Sequence, residues 1–256
     1  SPAKKLDLDA LDISVPATEP RMSAKTKALA KTAKQQSADD LKKLMRLSDN
    51  LAELNADRFK AFVLGGRSNA AKPAMLTFDG DVYWGLEAKS LSADDLAYAQ
   101  DHVRILSGLY GSLRPLDKIQ PYRLEMGTKM ENSGGKNLYE FWGDSIGKSL
   151  AEDLAGHKDQ TILNLASNEY FKAVDKSKLP GQIIDAKFLN IKDGKTRSLM
   201  YYAKRARGQM ARWVIQNRIE NANDLSGFDL EGYKIDKKQS EDNMLVFTRK
   251  QPPKKS

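Results

Sequence analysis

No cysteine occurs anywhere in the 256 residues, so neither a disulfide nor a thiolate-bound metal can hold this chain together. Its fold has to come from a buried apolar core, and the length is sufficient to build one. The same absence removes cysteine nucleophiles, thiol redox cycles and cysteine-ligated iron–sulfur clusters. The two histidines, His102 and His157, lie far apart in sequence and neither sits in an HExxH-like arrangement. No metal ligand set and no cofactor are therefore expected. No apolar run approaches the roughly 18 residues of a membrane span, and no signal-peptide pattern is present, so a cytoplasmic protein without membrane contact is the expectation.

Helical and strand patterns alternate without a βαβ rhythm. Residues 22–36 read as a helix with Ser23 as its cap, Ser37 opens a second helix, and Ser48 with Asp49 opens a third that runs to Phe59. Ala74 to Phe78 reads as a strand closed by a turn in which Gly80 takes positive φ, and Ser92 opens a helix to Leu106. Residues 121–126 read as a strand, and one helix is expected from Leu138 to Leu154. Thr161 to Ala166 reads as a buried strand. Ile183 to Ile191 and Thr196 to Tyr202 form a hairpin around Asp193-Gly194, followed by a helix from Ala203 to Ile219. Two short strands near 234–236 and 245–248 close the chain. The pattern gives an α+β fold, a single mixed domain over residues 1–250, with 251–256 as a disordered basic tail.

With 42 basic against 34 acidic residues the chain carries +8, which favours anionic partners if the charges cluster. They do cluster. Lys195 to Arg218 holds Lys195, Arg197, Lys204, Arg205, Arg207, Arg212 and Arg218 with no acid in 24 residues. On a helix, Lys204, Arg207 and Arg212 share one broad face while Met210, Trp213 and Val214 turn inward. Gly208 inside that helix costs about 1 kcal/mol against alanine, which points to close approach of a backbone or ligand. A solvated basic face is the competing reading.

Ser107, Gly108, Leu109, Tyr110 and Gly111 read as a tight hairpin between two helices, the second starting at Ser112. Such a turn can present backbone amides to a phosphate, with Arg114 in the next turn pairing the same group. An ordinary helix–helix turn with Gly108 as a C-cap is the alternative. A further set of short stretches joins ionisable groups to apolar neighbours. It offers a pocket in which Lys4 or Lys204 acts as an amine or phosphate ligand and Asp81 or Glu125 as a general base, with Arg207 alongside. Buried ion pairs would use the same residues.

Six ordered motifs, SPAK at 1–4, FDGDVYWGL at 78–86, LSGLYGSLRPLDKIQPYRLEMG at 106–127, LYEFWGD at 138–144, NLASNEYF at 164–171 and YAKRARGQMARW at 202–213, together resemble the YaaA family of bacterial peroxide-stress proteins. The resemblance implies a single domain of unusual architecture, a basic cleft, a helix-hairpin-helix element at Ser107–Gly111, and DNA binding linked to hydrogen peroxide resistance and low free iron. Family members carry a methionine and a few apolar residues ahead of SPAK. Without that strand a sheet edge would be exposed and Lys4 displaced. Helix-hairpin-helix glycosylases place a catalytic Asp about twenty residues past the hairpin, as that resemblance would require. Asp117, Glu125, Glu131, Glu140 and Asp144 bracket the spacing without matching it, so glycosylase activity does not transfer.

The resulting expectation is a non-redox stress protein that binds duplex DNA, including bent or branched forms, largely without sequence preference. Its expected contacts are Ser107, Gly108, Leu109, Tyr110, Gly111, Arg114, Lys204, Arg205, Arg207 and Arg212. A nucleic-acid or nucleotide-modifying enzyme built on Lys4, Asp81, Glu125, Lys204 and Arg207 is the alternative.

Overall fold

The computed structural model describes residues 4–9, 16–64 and 68–252. Ser1 to Ala3 of the first motif and the end of the basic tail lie outside the described residues. The helices are α1 (Ser23–Lys34), α2 (Ala38–Met45), α3 (Asp49–Ala61), α4 (Ala74–Thr77), α5 (Asp81–Leu86), α6 (Ala93–His102), α7 (Leu138–Trp142), α8 (Ser145–Leu154), α9 (Asn168–Phe171) and α10 (Met200–Asn217). The strands are β1 (Lys5–Leu6), β2 (Lys72–Pro73), β3 (Phe78–Asp79), β4 (Ile105–Ser107), β5 (Gly111–Leu113), β6 (Lys118–Ile119), β7 (Ile162–Asn164), β8 (Ile183–Lys192), β9 (Lys195–Arg197), β10 (Lys234–Ile235) and β11 (Met244–Lys250). This is a mixed α and β architecture with several small sheets.

Local chemistry explains most boundaries. Ser37 forms a full capping box on α2: its Oγ accepts from the Asp40 amide at 3.1 Å, and the Asp40 carboxylate accepts from the Ser37 amide at 3.0 Å. Ser92 caps α6 in the same way through the Asp95 amide. Ser23, by contrast, is the first residue of α1 and Met22 precedes it with no side-chain cap. The helix expected from Leu138 to Leu154 is broken in two because Gly143 takes φ +50°. Ala74 to Thr77 is a helical turn rather than a strand. Its four apolar or small side chains are all buried, so no periodicity separates the two states, and Thr77 Oγ1 donates to the Pro73 carbonyl at 2.7 Å. Gly80 is extended at φ 162° and not left-handed. No strand forms over 121–126.

The described residues form two compact units. The first draws on Ser1–Asp79, Val103–Glu152 and Ser167–Leu179. Leu29, Ala30 and Ala33 of α1, Leu41 of α2, and Ala52, Ala56 and Phe59 of α3 are buried. Lys34 Nζ reaches the Lys60 and Phe62 carbonyls at 2.7 and 2.9 Å, satisfying acceptors left over at the end of α3. Two-residue strands pair β1 with β3 and β2 with β6, both antiparallel.

The second unit draws on Gly80–His102, Asp153–Ala166 and Pro180–Ser256. Its sheet runs β10-β11-β8-β7, with β9 pairing the far half of β8. β8 is parallel to both β7 and β11 and antiparallel to β9. The core beneath it gathers Ile184, Ala186, Phe188, Ala206, Met210, Leu225, Phe228, Tyr233 and Phe247. Phe188 stacks on Phe247 at 5.5 Å and meets Phe228 edge-on at 5.8 Å. α5 lies directly on α10 because each helix offers a glycine. A Cβ at Gly85 would fall 2.1 Å from the Arg205 carbonyl oxygen, and one at Gly208 would fall 1.8 Å from that of Val82. The close approach read from Gly208 in the sequence is therefore to a neighbouring backbone.

Candidate nucleic-acid interface

The glycine hairpin of the first unit is a β-hairpin, not a turn between helices. α6 stops at His102, and Ile105 to Ser107 pairs antiparallel with Gly111 to Leu113. Gly111 has φ +72°, and a Cβ there would lie 2.6 Å from Met22 Sδ and 2.7 Å from the Trp142 ring. Gly108 packs against the Leu124 carbonyl, and its own carbonyl accepts from Trp142 Nε1 at 3.0 Å. Ser107 Oγ accepts from the Tyr110 amide at 2.9 Å and bonds the Tyr122 hydroxyl at 2.6 Å. Leu109 and Tyr110 are buried, and burial raises the pKa of both the Tyr110 and Tyr122 phenols. All five residues, Ser107 to Gly111, are enclosed by protein, which leaves no open face for a phosphate. The glycines serve packing. Gly111→Ala is accordingly expected to cost at least about 2 kcal/mol of stability, read as a lower urea midpoint, and an unchanged midpoint would contradict the buried turn.

Arg114 is likewise committed. Its Nε and Nη2 reach Asp117 Oδ1 at 3.1 and 2.8 Å, and its amide donates to Oδ2 at 2.8 Å. Asp117 is fully buried and also accepts from Thr18 Oγ1 at 2.7 Å, so this arginine neutralises an interior carboxylate. Glu125 pairs with Arg123 at 2.9 Å, and Lys4 is exposed.

In the second unit, Asp81 and Lys204 do come together, with Nζ and Oδ2 at 3.8 Å. Arg207 is partly buried; burial lowers its pKa and the Asp185 charge opposes that shift. Asp185 itself accepts from Asn164 Nδ2 at 2.6 Å. Arg205 faces Glu231 at 3.3 Å. Arg212 Nη1 donates to the Leu86 and Glu87 carbonyls at 3.0 and 3.1 Å and to Ser90 Oγ at 2.9 Å, closing the C-terminal end of α5. Arg218 pairs with Asp95 at 2.7 Å. The cations of the basic helix are thus largely engaged by carboxylates and carbonyls that arrive from other segments of its unit, although the carbonyls on Arg212 leave its charge in place and Glu231 is shared between Arg205 and Arg249. The two histidines, distant in sequence, meet edge-on with ring centroids 4.6 Å apart, and His102 Nε2 lies 3.3 Å from Glu220 Oε1.

Cations without a side-chain ion pair among the described residues appear instead on the β8–β9 hairpin. Asp193 at φ 52° and Gly194 at φ 68° make the two-residue turn with both central residues left-handed that suits the strand twist. Every residue from Ile191 to Ser198 is exposed. Lys192 and Lys195 are direct cross-strand partners, an arrangement that costs stability, and Arg197 follows opposite Asn190. Lys187 lies further down β8, and Lys250 of β11 pairs with Ile191. None of these five cations makes a side-chain ion pair among the described residues, and all five are exposed. The register sets Lys192, Lys195 and Arg197 on one face of the ribbon and Lys187 and Lys250 on the other.

Lys187, Lys192 and Lys250 were not among the expected contacts, and Lys195 and Arg197 entered only as part of the basic run. The signal was present. The Asp193-Gly194 turn was legible, and cations flank it on both strands; joining those two observations would have found the patch.

Residues 1–239 match the family described as Peroxide stress protein YaaA. The chain is 51% identical over 253 residues to a UPF0246 protein of Phenylobacterium zucineum, covering 99% of this chain and 94% of that protein. It is 50% identical over 252 residues to one of Maricaulis maris, covering 98% and 95%, and 48% identical over 251 residues to one of Saccharophagus degradans, covering 98% of both. The chain belongs to the YaaA peroxide stress protein family. That membership accords with the expected oxidative-stress role. Among the described residues no helix is long and apolar enough to cross a membrane.

Proposed function

We propose that the protein acts in the peroxide stress response by binding DNA through its phosphate backbone, with the β8–β9 hairpin as the principal contact. The observation that carries this reading is the exposed β8–β9 ribbon, where Lys192 and Lys195 oppose each other across the Asp193-Gly194 turn and, with Arg197 on the same face and Lys187 and Lys250 on the other, make five cations against the single turn acid Asp193. A fold gains nothing from such a pair; an external polyanion does. Cations on both faces can reach two phosphate tracks at once, and nothing in the set of Lys and Arg contacts demands a particular base. In this proposal the hairpin supplies the basic surface that the family resemblance implies, and the buried Ser107–Gly111 turn supports the fold.

The protective effect follows from occupancy. Without cysteine the chain has no thiol to reduce peroxide or to switch reversibly, so protection acts by shielding DNA. Titration of a labelled duplex at increasing salt tests the reading. Five neutralised phosphates predict a log–log slope of about −4.5, with affinity nearly the same for unrelated sequences. A flat salt dependence, or a strong preference for one sequence, would contradict backbone binding.

A further inference from the structure

Beside the basic ribbon the second unit exposes apolar surface. Met200 and Tyr201 are 73% and 48% exposed, and Ile191 on the ribbon is 37% exposed. Only Ser198 and Leu199 separate Arg197 from Met200, which holds the first turn of α10 within reach of the hairpin cations. The Tyr201 ring is supported from behind. Tyr201 meets Tyr202 edge-on at 5.3 Å, and Tyr202 lies 5.0 Å beneath the guanidinium of Arg249, itself buried. Two aromatic residues fixed in this way present Tyr201 as a rigid platform.

A duplex backbone has no use for such a platform, because its bases are already stacked on one another. An unpaired base has an open π-face, and a ring flanked by cations that track the phosphates is the arrangement that captures one. We infer that Tyr201, with Met200 beside it, stacks an unpaired base, so that the protein holds single-stranded nucleic acid or the unstacked segment of a distorted duplex in preference to intact duplex. This rests on the nucleic-acid reading above and names the form of nucleic acid that the surface takes.

The test uses the full chain, an oligothymidylate of about 20 nucleotides, a duplex of equal length, and the variants Tyr201→Ala and Tyr201→Trp. The expected result is that Tyr201→Ala weakens single-strand binding about tenfold while duplex binding changes less than about twofold, and that Tyr201→Trp restores it. A 2-aminopurine placed in the strand should be quenched on binding the unmodified protein and the Trp variant, but not the Ala variant. Equal loss on both forms, or no loss on either, would overturn the stacking role while leaving backbone binding in place. Failure of the unmodified protein to bind either form would overturn the nucleic-acid reading itself.

Discussion

Arg249→Ala is expected to destabilise the second unit by about 3–5 kcal/mol, the loss typical when one partner of a buried ion pair is removed. Its side chain is 4% exposed. Nε donates to Asn190 Oδ1 at 3.1 Å, and Nη1 donates to Glu231 Oε2 at 2.7 Å and to the Glu231 carbonyl at 3.2 Å. The guanidinium also stands 4.4 Å over the Tyr233 ring. Glu231 sits at φ 51°, an uncommon conformation for a residue with a side chain, and Arg249 holds both its backbone and its carboxylate there. Truncation to alanine releases that strained turn and leaves Asn190 and Glu231 short of a donor. Urea unfolding would check it, and a loss below about 1 kcal/mol would show that the arginine is dispensable.

The same contact sets an acid dependence. Burial alone would raise the Glu231 pKa, but hydrogen bonds from Arg249 and Gln209 and the charges of Arg205 and Arg249 outweigh it, so the folded value lies below the ordinary 4.5. A carboxyl depressed by folding contributes stability that is present above its unfolded pKa and is lost as pH falls through the folded one. Unfolding midpoints should therefore fall as pH drops below 4.5, less steeply in Arg249→Ala than in the unmodified protein.

Gly208→Ala is expected to cost at least about 3 kcal/mol, although alanine is the better helix former. The new Cβ would lie 1.8 Å from the Val82 oxygen and 2.8 Å from the Leu86 amide nitrogen. Both neighbours are backbone, so α5 would have to move away from α10, taking the Asp81–Lys204 contact with it. Gly156→Ala is the matched control, since nothing lies within 4 Å of a Cβ there, and it should change stability by less than about 0.5 kcal/mol. Equal thermal midpoints for the two variants would contradict the close helix approach.

The sequence reveals elements whose signals are local. Ser37 with Asp40, Asp193 with Gly194, and the long amphipathic stretch around Met210 each specify their own structure through caps, turn geometry or period. Misread segments owe their structure to distant neighbours. Gly108 and Gly111 mark a turn in either reading, and Met22, Trp142 and Leu124, packed against them from distant parts of the chain, decide that the turn is buried. The basic run misled for a related reason. Arg205, Arg212 and Arg218 read as free charge in a segment without acids, yet Glu231, the α5 carbonyls and Asp95 reach them from other parts of the chain. Charge purity along a sequence measures local composition, whereas a free field requires that folding bring no counter-charge. The ribbon bearing Lys192, Lys195 and Arg197 keeps a net positive charge, with Asp193 in its turn as the only acid from Ile191 to Ser198.

The measurement that bears most directly on DNA binding through this ribbon is the salt slope of duplex affinity in a Lys192→Glu, Lys195→Glu, Arg197→Glu variant, set beside that of the unmodified protein. The three positions are exposed and lie outside the core, so the variant should keep its thermal midpoint. With Lys187 and Lys250 left of the five cations, the slope should shrink from about −4.5 to about −2 and affinity at low salt should fall at least about a hundredfold. A folded variant that keeps both the affinity and the slope would show that DNA, if bound, is held elsewhere, and the ribbon would have no part in it.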